Sequence, residues 1–297
     1  MKNTFYIFIF IAFIFSSCKK EEKPTSVSIK TEKITPGTTT VLFEVTYEYP
    51  SVLSEVKIHL ATNENMSNAT IYPTQIDGKR FSATITGLKA NATYFYYYEF
   101  ISGFTSLKSN VDSFINIPLT PIEINGVKWA PCNVSFPGCF AKKPFDAGML
   151  YQWGSNVGWS STKPLAATDE NNKWRDLSEK GNMWQPAKNP CPPGWRVPTK
   201  AEFQSLINTD YVTREWRTEN GIEGYRLTDK DSGDSLFLPA AAYRNCYGSL
   251  GTGGKDGGGG YWSSTPESSI ACYLNFYSKF TSYCNREFAY SIRCVAK

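Results

Sequence analysis

One histidine, His59, stands in a chain of 297 residues. Everything outside "EVKIHLAT" therefore lacks the imidazole that a Ser-His-Asp triad, a Cys-His pair, an HExxH zinc helix or a His-rich metal site requires. His59 itself alternates with Val56, Ile58 and Leu60, which places it on the polar face of a strand as an exposed residue. Thiolate metal sites are no better served, because no Cys-x-x-Cys spacing occurs. Charge of one sign is also scarce. The formal net charge is +4 and the one basic pair that stands out is Lys19-Lys20, which gives no footprint for nucleic acid. No metal and no cofactor are expected.

Residues 26–117 contain neither cysteine nor tryptophan, whereas 118–297 hold all eight tryptophans and seven of the eight cysteines. The shift falls at "NIPLTPIEING" (116–126), where Pro118 and Pro121 mark a boundary. Aromatic residues are abundant at 15% of the chain, a level that suits β-structure or ring-stacking surfaces.

The first 17 residues read as a targeting segment. Lys2 is followed by the apolar run "FYIFIFIAFIF" (5–15), too short for a stable membrane span, and by "SSC" ending at Cys18. The pattern resembles a bacterial lipoprotein signal, which implies lipidation of Cys18. The succeeding "CKKEEKPTS" resembles the surface-export signal of Bacteroidetes lipoproteins. The resemblance implies an outer-membrane, lipid-anchored protein exposed on the cell surface, with residues 18–25 as a polar tether.

Residues 26–117 are expected to form one all-β unit. Val41, Phe43, Val45 and Tyr47 alternate, as do Val56, Ile58 and Leu60, and Phe81, Ala83 and Ile85, with turn-rich segments between. In "GLKANATYFYYYEF" (87–100), Leu88 lies six residues before Tyr94. This spacing resembles the tyrosine corner of fibronectin type III domains and implies an immunoglobulin-like/fibronectin III β-sandwich, although the usual core tryptophan is missing.

In "NPCPPGWRVPTKAEFQSL" (189–206), Thr199 and Glu202 form a capping box, and Phe203, Leu206 and Ile207 share one face, so a short helix is expected. The series "GVKWAPCNV", "GMLYQWGSNVGW", "CPPGWRVPTKAEF", "LPAAAY", "GYWSST" and "IRCV" resembles the Fibrobacter succinogenes major paralogous domain over residues 122–297. The resemblance implies an α+β, C-type-lectin-like domain with a small antiparallel sheet and a long irregular region. The family's activity is not established, so the resemblance supplies a fold and a compartment and no reaction.

An exported setting favours disulfides, but pairing among Cys132, Cys139, Cys191, Cys246, Cys272, Cys284 and Cys294 is open from spacing alone. The fold resemblance suggests Cys191 with Cys294; Cys132 with Cys139 would close a short loop, and the other three hold at most one further pair. The same resemblance extends to the formylglycine-generating group, whose oxidase chemistry uses two close C-terminal cysteines with copper. Cys284 and Cys294 are too far apart in sequence for that pattern. No enzyme activity is expected.

The stretch "GSLGTGGKDGGGGYWSS" (248–264) is not a phosphate loop. Five positions before Gly254 stands Ser249, and Asp256 occupies the hydroxyl position after Lys255. It reads as a glycine-rich excursion between strands, with or without a role at its tip. The tripeptides Glu-Pro-Asn, Gln-Pro-Asp and Trp-Asn-Asp of calcium lectins are missing, and Asp229, Asp231 and Asp234 read as a polar hairpin turn.

Two function classes remain: an extracellular module that binds a glycan or another surface protein, and a structural or fimbria-associated subunit without a small ligand. Under the first, Trp159, Trp174, Arg244, Asn245, Lys255, Asp256 and Tyr261 are expected to share one end of the domain as a shallow, aromatic-floored groove. Trp153, Trp195 and Trp262 are assigned to the core.

Overall fold

The computed structural model describes residues 27–36, 40–49, 52–118, 120–253, 259–276 and 280–297. The expected signal, Cys18 and the tether lie outside the described residues, as do Lys255 and Asp256. Strand dominates, and the sheets are antiparallel throughout.

Nine strands form an N-terminal sandwich: β1 (Ser28–Pro36), β2 (Thr40–Glu48), β3 (Glu55–Ala61), β4 (Thr70–Pro73), β5 (Gln75–Asp77), β6 (Arg80–Thr86), β7 (Thr93–Ser102), β8 (Thr105–Lys108) and β9 (Asp112–Ile115). One sheet runs β1-β2-β6-β5; the other runs β4-β3-β7, with β8 and β9 both on the far side of β7. Alternation decides what faces inward. Val41, Phe43, Val45, Val56, Ile58, Leu60, Phe81, Ile85, Tyr96, Tyr98 and Phe100 are all buried between the sheets. Aromatic edges fill the space a tryptophan would take: the Phe43 and Tyr96 rings meet edge to face at 5.3 Å. Tyr94 closes a corner, its hydroxyl accepting the Lys89 N–H at 2.8 Å while Leu88 packs into the core.

His59 corrects the sequence expectation. It does occupy the outer face of β3, but Tyr97 from β7 stacks on it at 4.4 Å and Glu99 hydrogen-bonds its Nε2 at 2.8 Å. Long cross-strand neighbours bury it, an effect that alternation cannot register. The hydrogen bond from His59, with its charge, holds the Glu99 carboxyl below the usual range against the opposing effect of burial.

The C-terminal body is built from short sheets around one helix. Ile122–Ile124, Val127–Asn133, Arg293–Ala296 and Trp195–Arg196 make a four-stranded sheet. The hairpins Val212–Glu219, Ile222–Asp229, Ser235–Pro239 and Gly260–Glu267, Ile270–Asn275, Phe280–Asn285 make two three-stranded sheets. A further group links Gly158–Trp159, Leu150–Gln152, Ala289–Tyr290, Tyr243–Arg244 and Leu250–Gly251. Helix α1 (Lys200–Leu206) starts at the expected capping box, and Phe203 and Leu206 are buried. Phe203 stacks on Trp129 at 5.5 Å. Arg196 grips the capping Glu202 with both terminal guanidinium nitrogens, at 2.9 and 2.6 Å. Trp153, Trp195 and Trp262 lie in the core, as expected.

Arginines organise the irregular segments. Arg293 is fully buried and donates to Asn133 Oδ1 and to the carbonyls of Ala130, Pro131 and Phe237. Arg286 lies over Trp153 at 4.1 Å and donates to the carbonyls of Glu179, Gly181 and Ser268. Burial lowers the basicity of both. Arg293 thus ties the strand Val127–Asn133 to the strand Ser235–Pro239, and Arg286 gathers the irregular segment at Glu179–Gly181 and the turn at Ser268.

Candidate functional site

The residues singled out in sequence divide into those the fold brings together and those it separates. Trp159 pairs with Leu150 in a short strand and is completely buried. Trp174 packs on it at 4.7 Å and donates its indole N–H to the Cys246 carbonyl at 2.8 Å. Arg244 donates from Nε to the Ser160 carbonyl, from one terminal nitrogen to the Gly248 carbonyl and from the other to the Thr162 carbonyl. Trp159, Trp174, Arg244 and Asn245 therefore do share one end of the body. The expected open groove is corrected: Trp159 and Arg244 are buried, and they brace loops from within. Tyr261 belongs elsewhere. It is also fully buried, bonded through its hydroxyl to the Pro239 carbonyl at 2.8 Å, in the core beside α1. An aromatic ring at a glycine-rich loop is as well suited to core packing as to stacking on a ligand, and here the surrounding apolar residues decide for the core.

The glycine-rich stretch starts as a tight turn. Asn245 Oδ1 accepts the N–H groups of Tyr247 and Ser249, both at 3.0 Å, and the Gly248 N–H bonds the Asn245 carbonyl at 2.9 Å. Gly248 has φ +79°, and a Cβ there would stand 2.5 Å from the Trp174 ring. Glycine is required on both counts. This turn holds Tyr247 outward with 84% of its surface exposed. Trp174, whose indole N–H bonds the Cys246 carbonyl, follows the exposed residues Asn171 and Lys173 in the chain. Tyr247 is the residue that sequence reading missed. Its signal is the turn itself, Asn-Cys-Tyr-Gly, in which Asn pins the backbone and the third position is thrown into solvent. Chemically the turn offers an exposed ring face on a rigid base, suited to stacking.

The two expected cysteine pairs have different outcomes. Cys191 and Cys294 are disulfide-bonded, joining the approach to α1 to the last strand. Cys132 and Cys139 are separate buried thiols, a correction to the expected local bridge. Backbone hydrogen bonds close that loop instead, Ser135 N–H to the Cys139 carbonyl at 2.9 Å. Cys139 turns away toward the sandwich, its sulfur 3.3 Å from Thr35 Oγ1. Cys246, Cys272 and Cys284 are free. Asp229 anchors a turn, accepting the N–H groups of Asn125, Asp231 and Ser232. Those bonds, led by the one from Ser232, keep its carboxyl below the usual range. Among the described residues no cluster of three or more His, Cys, Asp or Glu could hold a metal, and no helix is long and apolar enough to cross a membrane.

A cleft of about 600 Å³ opens in the sandwich between the start of β1 and the β8–β9 edge, lined by Glu32, Tyr96, Tyr98, Lys108, Asn110 and Asp112 among others. Its acidic groups are already engaged. Lys142, from the C-terminal body, donates to Glu32, to Asp112 Oδ2 at 2.7 Å and to the Tyr96 hydroxyl at 2.7 Å.

No known family profile matches the chain, and no curated protein matches it. Among solved structures, a bromide derivative of the protein BhCBM56 aligns at 11% identity with TM-score 0.24, over 30% of this chain and 98% of that one. The sensor domain of the anti-sigma factor RsgI4 of Pseudobacteroides cellulosolvens aligns at 18% identity with TM-score 0.26, over 33% and 98%. A laminaripentaose-producing β-1,3-glucanase of Paenibacillus barengoltzii aligns at 12% identity with TM-score 0.23, over 75% and 47%. Likenesses of this size assign neither a family nor a ligand.

Proposed function

We propose that the chain is a lipid-anchored, cell-surface binding or adhesion module whose C-terminal body engages a glycan or another surface protein. Tyr247 carries the proposal. It is a nearly fully exposed ring on a turn fixed by Asn245 and backed by Trp174. Sugars stack on such rings while neighbouring polar groups take their hydroxyls. The compartment belongs to the same proposal and is supported by the Lys2, apolar run and Ser-Ser-Cys18 pattern. The fibronectin type III reading of the sandwich is supported by the Leu88–Tyr94 corner and the two facing sheets. The C-type-lectin-like reading, and with it the Fibrobacter succinogenes major paralogous domain, is supported by the ordered motifs, the capped helix and the Cys191–Cys294 staple.

A glycan array probed with the purified chain tests the ligand. Tyr247→Ala is expected to weaken a bound glycan about tenfold, which corresponds to about 1.4 kcal/mol, with thermal stability unchanged. Binding that survives Tyr247→Ala removes the site. Cys18→Ala is expected to release the chain from the membrane fraction, and unaltered fractionation removes the anchor. The alternative of a structural or fimbria-associated subunit is favoured by the internal use of Trp159, Arg244 and Tyr261. It predicts an array with no glycan bound at all.

A further inference from the structure

Phe104 sits at the tip of the β7–β8 hairpin with its side chain entirely in solvent, at 110% of its reference exposure, and Val52 beside it is 89% exposed. Ser102 Oγ donates to the Val52 carbonyl at 2.9 Å, and the Ser54 N–H donates to the Ile101 carbonyl at 2.8 Å. The two apolar side chains thus belong to one protrusion. Scattered exposed apolar residues are ordinary. A phenylalanine at the apex of a hairpin, where Asn, Asp, Gly or Ser is usual, with a second apolar residue alongside, points to a contact made outside the chain.

The position of the protrusion names the contact. Ser28, at the start of β1, pairs with Glu48, at the end of β2, so the chain enters the sandwich at this same end. The turn before β6 lies here too, since the Tyr47 N–H bonds the Lys79 carbonyl at 3.0 Å. The C-terminal body attaches at the opposite end, through Thr35 with Cys139 and through the Ile115 N–H with the Lys142 carbonyl at 3.0 Å. Charges around the protrusion nearly cancel: Lys79 and Arg80 are exposed, as are Glu48 and Asp77, and Glu55 is half-buried. Lys57 pairs with Glu55 at 3.2 Å. The contact is therefore apolar in character and needs no partner of one sign.

We infer that Phe104 and Val52 rest in the interfacial layer of the bilayer that anchors the chain. This rests on the reading of Cys18 as lipidated. Cys18 lies nine residues before Val27. Nine residues at full extension span about 30 Å, so the anchor holds this end of the sandwich next to the lipid surface. One ring and one valine would not bind a membrane alone, but tethering makes their insertion an intramolecular event. Insertion then sets orientation: the sandwich stands on its Phe104 end, and Tyr247 is carried on the body farthest from the lipid.

The test uses the acylated full chain, purified and reconstituted into phosphatidylethanolamine–phosphatidylglycerol vesicles. Side chains are oxidised by hydroxyl radicals, and peptides are read by mass spectrometry. The reference is the same protein cut free at Lys19-Lys20. Oxidation of Phe104 is expected to fall about fivefold or more on the vesicles, while that of Tyr247 stays the same. In Phe104→Asp, which alters no packed residue, the Val52 peptide is expected to lose its protection. An acylated, vesicle-bound chain with Phe104 as reactive as in the released form overturns the inference and leaves the anchor standing. An N-terminal peptide without an acyl mass overturns both.

Discussion

Lys142 Nζ lies 2.7 Å from Asp112 Oδ2, and with Glu32 and the Tyr96 hydroxyl it joins the C-terminal body to the sandwich. Burial pulls the lysine's basicity down, but the charges of Glu32 and Asp112 outweigh it and leave Lys142 above its ordinary 10.5. Burial raises Asp112, and the charge and hydrogen bond of Lys142 more than offset this, leaving it below its ordinary 3.8. The stabilisation from Asp112 is present above the unfolded-state value and disappears as pH falls through the lower folded value. That from Lys142 is complete below 10.5 and disappears as pH rises through its higher folded value. The junction is thus strongest between these limits.

Lys142→Met should lower stability at pH 7 by about 1–3 kcal/mol, less than a fully buried pair would, because the three side chains keep part of their solvent contact. Urea melts at pH 7 and pH 3 check this. The deficit relative to wild type should shrink at pH 3, which lies below the ordinary 3.8 at which Asp112 takes up a proton in the unfolded chain; a constant deficit would assign the loss to packing alone.

Four fully buried tryptophans differ in one respect. Trp153 donates its indole N–H to the Ser263 carbonyl at 2.9 Å, and Trp262 donates to the Tyr151 carbonyl at 2.8 Å. The N–H groups of Trp129 and Trp159 have no partner among the described residues. Replacement by Phe leaves an orphaned carbonyl in the first pair and removes an orphaned donor in the second. Chemical denaturation should therefore show Trp→Phe at 153 or 262 costing about 1–3 kcal/mol more than at 129 or 159. Equal costs at all four positions would mean that ring volume alone decides.

Local signals explain which parts of this structure can be read in sequence. The inward faces of β2, β3 and β6, the corner at Tyr94 and the helix after Thr199 each follow from residues within one strand or one turn. The errors arise where distant segments meet. His59 is covered by Tyr97 and Glu99, about 40 positions on, and Arg244 is taken up by Ser160 and Thr162, more than 80 positions before it. Trp159 and Trp174 do lie beside the glycine-rich turn, but no pattern in their neighbourhood shows whether a ring faces in or out. Tyr247 escapes notice because exposure at a turn has no periodicity.

Gly248→Ala should damage the turn that presents Tyr247. The new methyl meets both a positive φ and the Trp174 ring at 2.5 Å. A loss of about 2–3 kcal/mol is expected from strain and crowding together, against less than about 0.5 kcal/mol for Tyr247→Ala. Tryptophan fluorescence provides a local check, because displacing Trp174 breaks its bond to the Cys246 carbonyl. Unchanged emission and stability would show that the turn can relax without Trp174.

Cysteine chemistry should follow burial. Cys132, Cys139 and Cys272 are buried, while Cys246 and Cys284 are partly exposed. Burial pushes the Cys132 thiol up to about 12, with Arg293 only partly opposing it, so almost no thiolate forms at pH 7. Burial raises Cys139, Cys272 and Cys284 as well. Maleimide added to the native chain should therefore reach Cys246 first. Cys132 should react at least about 100-fold more slowly, at the rate at which the core opens. In denaturant without reductant, Cys132, Cys139, Cys246, Cys272 and Cys284 should all be labelled, and Cys191 and Cys294 should appear as one linked peptide. Reduction of that bond, which ties residues 103 positions apart, should cost about 2–5 kcal/mol and destabilise the approach to α1 together with the last strand. A peptide joining Cys132 to Cys139 would contradict the turn of Cys139 toward Thr35, and with it the packing of this loop against the sandwich.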